Sequence, residues 1–123
     1  MDNNYSIKAL AYLGDAVWSL VVRDELIKED ISDTKKLQAE TIKCVSAKAQ
    51  AKFYSFLNEE GLLLEEEKEI FKRGRNAHSG SIPKNTDAQT YRISTGFEAM
   101  VGYLYVEKKE GRIREIWEKV RTL

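Results

Sequence analysis

The amino-acid sequence predicts an all-α fold, a helical bundle. Three observations carry this: apolar residues recur at helical spacing, Val, Ile and Thr rarely alternate with polar residues as strands require, and the one proline, Pro83, falls in a polar loop. A chain of 123 residues suits a single domain over residues 1–123, able to bury one core.

A first helix is expected from about Ser6 to Lys28, with Ala9, Leu13, Ala16, Val17, Leu20 and Val21 as its inward stripe. Ser32 or Asp33 offers a side-chain oxygen to cap the next helix, which turns Leu37, Thr41, Cys44 and Val45 inward. Ser46 offers a new cap, and Ala47 to Leu57 continues with Ala51, Phe53, Tyr54 and Leu57 as anchors until Gly61 stops it. Leu62 to Arg75 reads as a short helix facing Leu64, Ile70 and Phe71 inward. Its acids Glu65, Glu66, Glu67 and Glu69 sit near the helix start, where the dipole favours negative charge, and read as a solvated face. Asn76 to Asn85 is the loop. Thr86 is positioned to cap a long helix ending near Lys109, and Gly111 separates that helix from a terminal one carrying Ile113, Ile116, Trp117 and Val120.

Twenty basic side chains balance twenty acidic ones, so no global field draws in nucleic acid, and any such binding needs a local basic surface. The chain shows no leader-like start and no run long enough to span a bilayer. Its single cysteine, Cys44, has no disulfide or metal-ligand companion, which fits a reduced, cytoplasmic setting.

Two stretches stand out chemically. In Ala9 to Arg23 one carboxylate, Asp15, interrupts an apolar run directly after Gly14. In Tyr91 to Tyr105 the oddity recurs, with Glu98 in an apolar segment and Gly102 one turn later on the same face. An ionised carboxylate in an apolar interior needs a proton, an ion partner or a metal. Two such helices, each relieved by a glycine, can pack closely enough to bring the acids together. A divalent cation would then relieve their repulsion, and an all-oxygen ligand set suits Mg²⁺ or Mn²⁺. The residues alone leave a second reading open, in which Asp15 and Glu98 each pair with an arginine such as Arg23 or Arg92.

Between Lys72 and Arg92 the local balance turns positive: Lys72, Arg73, Arg75, Lys84 and Arg92 face a single acid, Asp87. Asn76, Asn85, Thr86 and neighbouring serines supply hydroxyls and amides, the groups that orient on phosphates that Arg and Lys neutralise. Lys72, Arg73, Arg75, Asn76, Lys84, Asn85, Thr86 and Arg92 are therefore the candidate RNA contacts. Arg73 and Arg75 point apart on a helix, so one of them is free to pair with an acid. His78 reads as a surface residue without a catalytic role.

Leu13-Gly14-Asp15-Ala16-Val17 resembles the signature helix of the ribonuclease III family, and Phe97-Glu98-Ala99-Met100-Val101-Gly102 resembles its second acidic helix. Ala9 to Ala16, Val45-Ser46-Ala47-Lys48, Lys72 to Ala77 and Pro83-Lys84-Asn85-Thr86 are similar to Mini-ribonuclease III, the short branch without a separate double-stranded-RNA-binding domain. The resemblance spans essentially the whole chain. It implies an all-α endonuclease, working as a homodimer, that cuts double-stranded RNA with Mg²⁺ and, in this branch, matures the 23S ribosomal RNA precursor. It departs from the wider family at three places: Thr95 stands one turn before Glu98, and Ala11 and Lys8 stand four and seven residues before Asp15, where the family pattern has acids. Asp15 and Glu98 alone are carried over as catalytic and metal-binding acids, and the number of metals stays open. The competing readings are a non-catalytic RNA-binding or ribosome-associated helical module of the same shape, and an all-α nucleotide pyrophosphohydrolase using Glu65 to Glu69.

Overall fold

A computed structural model of the chain describes residues 5–77 and 87–123, and the regular structure within them is entirely helical. Six helices follow in order among the described residues: α1 (Ile7–Lys28), α2 (Thr34–Val45), α3 (Ala47–Glu59), α4 (Glu65–Asn76), α5 (Ala88–Val106) and α6 (Glu110–Val120).

Short polar side chains set the helix starts. Ser6 Oγ accepts from the Ala9 N–H at 3.0 Å, Asp33 Oδ1 from Lys35 at 3.0 Å and Ser46 Oγ from Ala49 at 3.1 Å, each satisfying a free first-turn donor. The cap of α5 is Asp87, whose carboxylate accepts from both the N–H and the hydroxyl of Thr90. The expected cap, Thr86, lies outside the described residues. At the end of α3, Gly61 takes φ +66°, and Leu62 and Gly61 donate back to the Leu57 and Asn58 carbonyls. That closing pattern needs a residue in the left-handed region, which glycine occupies without strain.

Helix α5 is the axis of the fold. From Gly96 to Leu104 every residue except Glu98 is buried, as expected of a helix that other helices cover on all sides. Helix α1 runs antiparallel to it, and the two backbones touch. A Cβ on Gly14 would overlap the Glu98 carbonyl oxygen, and one on Gly102 would overlap the Leu10 carbonyl oxygen. Helix α4 approaches α5 in the same manner, with a Cβ on Gly74 falling 2.8 Å from the Ala99 Cβ and 2.9 Å from the Gly96 Cα. Trp18 fills the centre, edge-on to Phe97 with ring centroids 5.0 Å apart and to Trp117 at 6.0 Å. In α6, Ile113, Ile116, Trp117 and Val120 are all buried, as the periodicity predicts.

Several expectations change. The inward face of α1 is Leu10, Ala11, Gly14, Val17, Trp18, Val21, Val22 and Leu26. Ala9, Ala16 and Leu20 are exposed instead, because α1 is apolar around most of its circumference and spacing alone does not choose the packed face. Helix α4 starts at Glu65 and runs on to Asn76, so Leu63 is buried ahead of it and Leu64 is exposed. Helix α5 ends at Val106, before Lys109, and the break falls at Lys108 (φ +60°), leaving Gly111 inside α6. Glu67 is fully buried, contrary to the solvated reading of its segment. Arg112 of α6 donates to both its oxygens, at 2.7 and 2.8 Å, and the Leu64 N–H donates to Oε1 at 2.9 Å. A paired, hydrogen-bonded carboxylate is the form in which a buried acid is tolerated.

Candidate active site

The close α1–α5 approach delivers the two acids to one another. Asp15 lies one residue past Gly14, and Gly14 meets the Glu98 backbone. The two carboxyl groups face each other within hydrogen-bonding reach. Burial, then the hydrogen bond with Asp15, then the Asp15 charge push the Glu98 carboxyl up to about 8, against the opposing pull of the Gln50 amide. Two carboxylates that close resist double ionisation unless a positive charge joins them. Among the described residues no lysine or arginine forms an ion pair with either acid. Arg23, one of the arginines considered, donates to the Ser19 carbonyl at 3.3 Å.

The donor set suits a hard divalent cation. It consists of two carboxylates, with no third His, Cys, Asp or Glu joining them among the described residues. Mg²⁺ is typically held by one or two carboxylates and keeps several waters. Thr95, one turn before Glu98, spends its hydroxyl on the Tyr91 carbonyl at 3.0 Å. Ala11 is buried and Lys8 exposed, so these positions add no acid.

Gln50 was missed by the sequence reading. It is 1 % exposed, and its Nε2 donates to the Val45 carbonyl at 3.2 Å and to Glu98 Oε2 at 3.4 Å. The available signal was a long polar side chain on the apolar face of α3, between Phe53 and the Ser46 cap.

Lys72, Arg73, Arg75, Asn76 and Arg92 are all exposed. Arg75, Asn76 and Arg92 line one groove with Tyr54, Asn58 and Gln89, formed where α3, α4 and the start of α5 converge. Lys72 and Arg73 lie outside it on α4. Its floor is aromatic: Tyr54 and Phe71 stack at 3.4 Å with planes 6° apart, and the Arg75 guanidinium lies over the Phe71 ring. None of these four cations, Arg73 and Arg75 included, forms an ion pair among the described residues, whereas Arg112, Arg114 and Arg121 of the opposite end are all paired. Lys84, Asn85, Thr86 and His78 lie outside the described residues.

The acids of α4 do not form a second centre. Glu66 binds Lys109 at 2.9 Å and accepts the Tyr103 hydroxyl at 2.7 Å, while Glu67 is taken by Arg112.

A ribonuclease III domain matches residues 8–109, a span holding both acids and the groove. The chain belongs to the ribonuclease III family. It is 47 % identical over 108 residues to a Mini-ribonuclease 3 of Streptococcus pneumoniae, covering 88 % of this chain and 84 % of the relative. A Mini-ribonuclease 3 of Staphylococcus aureus is 45 % identical over 114 residues, covering 93 % and 85 %. The crystal structure of a Fusobacterium nucleatum protein superposes with a TM-score of 0.84 at 32 % identity, covering 98 % of this chain and 94 % of that one. The all-α ribonuclease III fold and the endoribonuclease activity implied by the sequence resemblance therefore hold for this family member. No helix among the described residues is long and apolar enough to cross a membrane.

Proposed function

We propose that Asp15 and Glu98 are the catalytic acids of this endoribonuclease and that they hold Mg²⁺, with Mn²⁺ as a substitute. The observation that carries the reading is the Asp15–Glu98 juxtaposition, which lacks an ion-pair partner among the described residues. When bound, the cation supplies Lewis acidity, acidifying water and neutralising charge on a phosphodiester. The chain's own residues do the rest. Asp15 and Glu98 provide two fixed oxygen donors, and the Gly14–Gly102 contact fixes the separation of their helices. Arg75, Arg92 and Asn76 in the groove, with Lys72 and Arg73 beside it and Lys84, Asn85 and Thr86 from the adjoining segment, engage the phosphates of duplex RNA. Hydrolysis leaves a 5′-phosphate and a 3′-hydroxyl.

The substrate we infer is the 23S ribosomal RNA precursor, in the cytoplasm, cut by a homodimer of this single catalytic domain. Exposed apolar side chains on the outer face of α1 support the dimer: Tyr12 is 86 % exposed, Leu20 63 % and Ile27 62 %, with Ala16 between the first two and one cation, Arg23, between the last two. Large apolar side chains left this exposed suit burial against a partner, and a two-fold axis supplies one site for each strand of a duplex.

Cleavage of duplex RNA by Asp15→Asn with Mg²⁺ tests this. The variant should fold and bind RNA but leave it at full length. Cutting at the wild-type rate would overturn the assignment, and a wild-type protein that shifts RNA without shortening it would favour a non-catalytic module.

A further inference from the structure

Gln50 occupies an unusual position for an amide. Its side chain is almost wholly buried on α3, yet it reaches across to the Glu98 carboxyl on α5. Both hydrogens of Nε2 are spent: one on the Val45 carbonyl, the last of α2, and one on Glu98 Oε2. Its Oε1 has no hydrogen-bond partner among the described residues.

Chemistry fixes which way the amide faces. Turned over, Oε1 would stand against the Val45 carbonyl, acceptor against acceptor, and against the Glu98 carboxylate as well once that group ionises to receive a cation. The fold thus tolerates a buried oxygen without a partner so that both hydrogens point at these groups, a disposition expected where orientation matters more than local satisfaction. The Val45 end is itself anchored. Trp18 Nε1 donates to the neighbouring Cys44 carbonyl at 3.0 Å, so two core side chains, from α1 and α3, grip the last carbonyls of α2.

Resting on the reading of Asp15 and Glu98 as a cation-binding pair, we propose that Gln50 is a positioning residue that ties the Glu98 carboxylate to the α2–α3 corner and holds it in the orientation that receives the metal. The amide donates to one oxygen, Oε2, and thereby restricts rotation about the Glu98 side chain. Partners of this kind behind a ligand typically change metal affinity or activity by about 10–100-fold when removed.

Gln50→Met keeps the length and volume of the side chain and deletes both hydrogen bonds. Calorimetric titration with Mn²⁺ should show affinity weakened about tenfold or more, and cleavage of duplex RNA should fall in proportion at limiting Mg²⁺ and recover at saturating Mg²⁺. A role confined to filling space or capping α2 would lower the melting temperature without moving Mn²⁺ affinity, and that result overturns the proposal. A second measurement uses the unaltered protein: the Gln50 side-chain amide resonances should shift as Mg²⁺ is added and stop responding in Glu98→Gln. Resonances that ignore Mg²⁺ while cleavage remains Mg²⁺-dependent also overturn it, whether or not Gln50→Met folds. Failure of the underlying reading looks different, because Glu98→Gln would then cut RNA at the wild-type rate.

Discussion

The backbones of Gly14 and Gly102 meet where α1 crosses α5, and a methyl group on either residue would overlap a main-chain oxygen of the opposite helix. Backbone cannot move aside as a flexible side chain can, so the helices themselves must separate. Gly14→Ala and Gly102→Ala should each destabilise the protein by about 3 kcal/mol or more in urea unfolding, at the upper end of overpacking effects. Survivors should cut poorly, since separating the helices also separates Asp15 from Glu98.

Glu98 gives metal-free protein a distinctive pH response. Its folded-state value is about 8, raised by burial and by Asp15 from an ordinary 4.5, so between those values the folded state holds a proton that the unfolded chain releases. This group's contribution is fully favourable below about pH 4.5 and is lost as pH rises through about 8, with a slope of up to ~1.4 kcal/mol per pH unit. Thermal melts in chelator should show the decline, and Glu98→Gln should flatten it.

The buried Glu67–Arg112 pair is expected to be asymmetric under mutation. Arg112→Met strands a carboxylate with no exposure and should destabilise by about 3–5 kcal/mol. The double variant Glu67→Met/Arg112→Met should recover much of that loss, because no charge is left behind. Chemical denaturation of the three proteins measures the difference.

Arg75→Ala and Arg92→Ala should each weaken binding to duplex RNA across sequences. Each should also reduce the slope of log affinity against log salt concentration by about one. Titrations at several ionic strengths in the Asp15→Asn background, expected to bind RNA without cutting it, provide the readout.

Leu20→Glu should convert the proposed homodimer to monomers in sedimentation analysis, weakening association by about 100-fold or more while leaving the melting temperature of the monomer unchanged. The substitution places a charge on a face that is already solvated in the free chain.

The caps Ser6 and Ser46 and the buried face of α6 were legible in the sequence because each is encoded within a few residues. The meeting of Asp15 and Glu98 was half legible: an acid beside a glycine in an apolar helix is costly, and the pattern occurs twice, but the residues alone left pairing with an arginine equally open. What escaped depended on distant partners. Glu67 looked solvated because the arginine that buries it comes 45 residues later. Gln50 drew no notice because its partners sit at the end of the preceding helix and on α5. The packed face of α1 escaped because both of its long faces are apolar, and only the choice of neighbour distinguishes them.

Placing Glu98 on the most enclosed helix has a consequence for heat inactivation. In many enzymes the catalytic groups ride on peripheral loops that loosen before the scaffold does. With the two acids proposed as catalytic placed on α1 and α5, warming should leave no interval in which the protein stays folded but inert: loss of cutting and loss of helicity should trace one curve.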